Sequence, residues 1–212
     1  DLAGGSTTTT PGIVVTGPLA TTPANGEVTV NVTPTVNWAL GTNTYNLLSF
    51  GSFGGSLTDF TKGTIGLLTS RESATLGLNT TTDELTLTIA ADAPKWTGLD
   101  NSNWMVGSTG ANGNWKLITA GTQTNYIQGD TVLFDDTASN GTVTISAADV
   151  SPTSTTFSNN TLAYTVGGSF GIAGGGSLTK TGNATLTINT ANSYTGGTTI
   201  NAGTVVLGNG AA

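Results

Sequence analysis

The sequence predicts an all-β protein, with an antiparallel or mixed β N-terminal half and a C-terminal half of stacked short strands. Three observations carry this. No stretch keeps apolar residues at the three-and-four spacing of an amphipathic helix, and the abundant Thr, Val and Gly are poor helix formers. Apolar and polar residues alternate in EVTVNVT (27–33), SATLGLN (73–79) and ELTLTIA (84–90), the period of a half-buried strand. Between 131 and 208 the short runs TVLFDD, TVTISA, TTFSN, LAYTVGG, ATLTIN and GTVVLG return about every ten residues, with Gly or Asn at the gaps.

Taken in chain order, residues 1–12 read as an N-terminal arm. Thr7, Thr8, Thr9 and Thr10 are polar and β-branched, so the arm is either a flexible terminus or a strand added to another chain. The opening DLAGGSTTTTPG lacks Met and reads as a mature or excised start. Residues 13–94 form an antiparallel or mixed β region. In it TTTD (80–83) links two alternating runs into a hairpin, and Arg71 and Glu72 read as a solvated pair. Residues 95–130 hold three of the four tryptophans among many Asn and Gly and read as a junction. Residues 131–212 form the region of stacked strands.

Parity assigns the faces of that last region. Leu178, Ala184, Leu186 and Ile188 point to a core, while Thr179, Thr181, Thr185 and Thr187 point to water. Gly182 marks a corner or a close backbone approach, and NAG (201–203) is a tight-turn signal. Lys180 shares the parity of the buried row. Its expected place is a strand end with the ammonium reaching out to water, or else an ion pair at a subunit contact. The final run, Val205, Val206 and Leu207, has no capping sequence after it, so its strand edge is a candidate for assembly.

Composition excludes several functions. Charged residues are 8% of the chain, Thr about a fifth, and the net charge is −7. Widely spaced acids argue against nucleic acid, which needs a basic stripe, and against anionic membrane surfaces. No apolar run is long enough to span a membrane. With no His and no Cys, thiol and Ser–His chemistry are closed, and no metal or cofactor is expected. Asp135 and Asp136 are adjacent, so on a strand they face opposite ways and cannot flank one glycosidic bond. With Asp130 nearby, they read as turn residues rather than as a calcium site, which would need six or more oxygens. The binding candidate is KWTGLDNSNWMVGSTGANGNW (95–115). There Trp96, Trp104 and Trp115 could stack on sugar rings, with Asn101, Asn103 and Asp100 bonding hydroxyls. The alternative is that these tryptophans cap the open end of the strand stack.

Residues 175–208 resemble the autotransporter-associated β-strand repeat, also called the passenger-associated transport repeat. The matching positions are Leu178, Lys180, Gly182, Leu186, Asn192, Tyr194, Gly196, Thr198, Ile200, Gly203, Val205, Leu207 and Gly208; Ala184 stands where the family usually has Gly. More loosely, KWTG, NW, GDTVLFDD, TTFSN and YTVGG resemble the segment that often precedes the repeat in large bacterial surface proteins. The resemblance implies a right-handed parallel β-helix, or β-solenoid, and an extracellular or bacterial cell-surface location. The expectation is a non-enzymatic structural protein, a building block of a surface stalk or self-assembling filament whose partner is itself. The alternative is an adhesin module that binds glycans through the Trp-rich junction.

Overall fold

A computed structural model of the chain describes residues 28–34, 38–68, 71–107, 110 and 113–208, and the backbone alone of the strands at 2–3 and 13–19. The chain divides into two compact units, Asp1–Asp92 and Ala93–Ala212. Among the described residues there is no α-helix. A short 3₁₀ turn, Leu57–Asp59, is capped by the Ser56 side chain.

The first unit contains β1 (Leu2–Ala3), β2 (Ile13–Leu19), β3 (Val28–Thr33), β4 (Gly41–Phe53), β5 (Phe60–Ile65), β6 (Glu72–Asn79) and β7 (Glu84–Ala91). One sheet runs β1-β3-β5 and is parallel; the other runs β2-β4-β7-β6 and is mixed. The expected hairpin is present: β6 and β7 pair antiparallel from Glu72↔Ala91 to Asn79↔Glu84. Its loop is held by the Asn79 side chain, which accepts from the amides of Thr81 and Thr82 at 3.0 and 3.3 Å, as Asx turns do. Alternation works as it should: Leu85, Leu87 and Ile89 of β7 are buried with Leu47, Phe50, Val32, Phe60 and Ile65. Thr7, Thr8, Thr9 and Thr10 lie outside the described residues.

The second unit is a β-solenoid of about three turns. Its strands are β8 (Pro94–Trp96), β9 (Trp115–Leu117), β10 (Gln123–Thr124), β11 (Thr131–Asp135), β12 (Thr142–Ile145), β13 (Ser154–Ser158), β14 (Tyr164–Gly168), β15 (Ser177–Thr181), β16 (Thr185–Ile188), β17 (Thr198–Ile200) and β18 (Thr204–Leu207). From β11 onward successive strands alternate between two sheets. The first sheet runs β10-β9-β8-β11-β13-β15-β17, the second β12-β14-β16-β18. From β11 onward every pairing is parallel. Each rung is therefore one strand from each sheet. The offset between neighbouring rungs is 23 residues where Asn183 meets Asn160 and 20 where Ile172 meets Asn192.

Register lines up the inward residues in columns. In the first sheet Val132, Thr155, Leu178 and Thr198 form one column, and Phe134, Phe157, Lys180 and Ile200 another. In the second sheet the columns are Val143, Val166, Ile188 and Leu207, and Tyr164, Leu186 and Val205. Phe134 lies flat on Phe157, centroids 4.4 Å apart and planes 13° apart. Such stacking adds to the area term.

Corners must let backbone sit on backbone. Gly182 has φ +77°, and a Cβ placed there would come 2.3 Å from the Asn159 carbonyl oxygen. One rung later Gly203 has φ +75°, and its Cβ would come 2.4 Å from the Gly182 carbonyl. These two glycines let three rungs turn the same corner at strand spacing. Gly182→Ala is expected to cost at least about 1–2 kcal/mol from the left-handed backbone alone, and more from the backbone contact. Urea unfolding followed by tryptophan fluorescence checks this; an unchanged midpoint would contradict the corner assignment.

Candidate functional site

The two ends of the rung stack differ. At the N-terminal end the Trp-rich segment folds into the unit. β8 pairs parallel with β11, while β9 pairs antiparallel with β8, and β10 with β9. Trp96, Trp104 and Trp115 are 0–1% exposed. They pack on one another and on Tyr126 and Phe134, mostly edge to face, with centroids 5.2–5.9 Å apart. Trp96 donates its indole N–H to the Asn140 carbonyl at 2.8 Å. The buried Nε1 atoms of Trp104 and Trp115 have no hydrogen-bond partner. These two rings supply bulk and apolar area.

Of the two places the sequence offers Trp96, Trp104 and Trp115, sugar platform or end cap, the platform would need exposed ring faces, and the rings are buried. No face is open, because the three rings build the core of the first rung. The Asn101 side chain and the Asn103 backbone are committed as well. Asn101 accepts from the Asn103 amide and from Asn114 Nδ2, each at 2.8 Å. Asn103 offers its carbonyl to the same Asn114 at 2.9 Å and bridges Thr144. Asn114, fully buried, also accepts from the amides of Asp100 and Asn101. It is the hub of this loop and had no sequence signal. Among many Asn in a Gly-rich segment, nothing local marks the one whose side chain turns inward.

Opposite, the inward residues of the last described rung are not covered by any described residue. Ile188, Asn192, Tyr194, Thr198, Ile200, Val205 and Leu207 line a hollow of about 440 Å³. Ile200 is 54% and Leu207 68% exposed. Val206, of the other parity, is exposed on the outer surface of β18. Strands β17 and β18 each pair on one side only. Sequence reading placed Val205, Val206 and Leu207 at an edge but missed Ile200 and Thr198. Counting one rung on from Lys180 and Leu178 finds both.

Lys180 sits one rung below that hollow, next to the last residue of β15, and is 0% exposed. The expected escape of its ammonium to water does not occur, nor does it reach a surface where another subunit could pair with it. Nζ instead donates to the carbonyls of Thr181 and Gly182, both at 2.7 Å. Gly203 closes over it, since a Cβ there would come 2.9 Å from Nζ. Burial pushes the Lys180 pKa down, and the negative charge of Asp136 partly opposes this. Removing stem and ammonium together by Lys180→Ala is expected to destabilise the second unit by about 2–4 kcal/mol. Lys180→Met, which keeps the stem, should cost less. Denaturant unfolding of both variants separates packing from bonding.

The carboxylates do turn work, as expected. Asp136 accepts from the amides of Asn160, Thr161 and Leu162 at 2.8–3.1 Å. Asp149 accepts from the Gly171 amide, and Asp130 from that of Ile127, each at 2.9 Å. Asp135 lies 3.2 Å from Lys95 Nζ. Burial raises its pKa, but the hydroxyl and amide of Thr137, and then Lys95, outweigh this and hold it below the usual value. Among the described residues no three of His, Cys, Asp and Glu gather where they could hold a metal ion. No described helix is long and apolar enough to cross a membrane.

The amides of Leu162, Thr161 and Asn160 lower the Asp136 pKa to about 2. A carboxylate so depressed stabilises the fold above its unfolded pKa, and the contribution is lost as pH falls through the folded one. Asp136→Ala should therefore unfold at a lower temperature than the parent at pH 7. The gap should stay constant above about pH 4 and narrow from there toward about pH 2. Thermal scans across that range check the window.

Residues 178–207 match the family model of the passenger-associated-transport-repeat. The repeat runs from the column residue Leu178 to the open-end residue Leu207. No curated protein and no solved structure matches the chain. The matched repeat and the β-solenoid together fit a passenger-type structural domain.

Proposed function

We propose that the chain is a non-enzymatic structural segment of a bacterial surface protein, a β-solenoid spacer that acts as part of a stalk outside the cell. The observation supporting this is the set of inward columns, which keep one register from Val132 and Phe134 to Thr198 and Ile200. A stack built that way gives length and stiffness from main-chain pairing. Its carboxylates Asp130, Asp135, Asp136 and Asp149 already serve local loops, which suits scaffolding better than turnover. In this reading residues 1–12 serve as an arm, and residues 95–130 as the cap of the first rung. Low charge and Thr-covered strands keep such a rod hydrated without a strong field of either sign.

The role is tested in the native host. Antibodies raised against residues 131–208 should label intact cells or shed surface material, and external protease should remove the signal. Labelling only after lysis would defeat the proposal.

A further inference from the structure

We draw no further inference here: the strongest candidate, the hydroxyl patch that Ser154, Thr156 and Ser158 of β13 form with Ser177, Thr179 and Thr181 of β15 on the outer face of the solenoid's first sheet, is a periodic stripe of small side chains, and nothing in the structure shows what covers it.

Discussion

Each rung of the second unit rests one strand spacing, about 4.8 Å, above the rung before, and that spacing must be kept at the corners as well as in the strands. Strands meet it easily, because their amides and carbonyls point along the stack. Corners are harder, since the chain changes direction and a side chain in the wrong place would prop the rungs apart. Gly182 over Asn159 and Gly203 over Gly182 meet the requirement by having no Cβ where the next carbonyl lies. The columns of Phe, Val, Leu and Ile follow from that constraint. Residues can stack in one line over several rungs only if nothing at the corners shifts the register.

The columns are not uniform, and their drift gives the stack a direction. The first rungs are filled by Trp96, Trp104, Trp115, Phe134 and Phe157, the later ones by Leu178, Leu186, Ile188, Ile200 and Val205. The rung offset shortens from 23 to 20 residues in the same direction. Bulky rings plug the early end, where antiparallel β8–β10 also change the pairing rule. Smaller aliphatics fill the later rungs, up to the last one described.

The sequence revealed the inward face of residues 178–188 because strand alternation is local. Leu178, Leu186 and Ile188 are buried, and Thr179 and Thr187 are not, as parity requires. Pairing was less legible. Runs about ten residues apart look like neighbours, yet β11 pairs with β13 and β12 with β14, because each successive run crosses to the other sheet. The Trp-rich segment was marked by composition, but its sequence left a sugar platform and an end cap both open. Aromatic rings beside amides describe a sugar platform and an end plug equally well. The difference is made by Asn114, which gathers the loop at 100–103 and turns it inward. That contact spans eleven to fourteen residues and leaves no periodic trace.

Lys180 shows why a core so apolar retains one cation. A Leu in that column would pack against Phe157 and Ile200 in any nearby register. An ammonium has to find acceptors, and in this column they are the carbonyls of Thr181 and Gly182, which converge only when the corner has turned correctly. Gly203, laid over Nζ, has to arrive from the next rung to close the site. A buried charge costs more in the wrong arrangement than it gains in the right one. Its contribution is therefore specificity: a rung that slips by one residue strands the charge, whereas a slipped Leu loses little. The same logic accounts for the chemistry-poor composition elsewhere. Thr, Val and Gly pair and pack without discriminating among registers, so a few positions that do discriminate, Lys180 and the two corner glycines, set the phase for the strands between them.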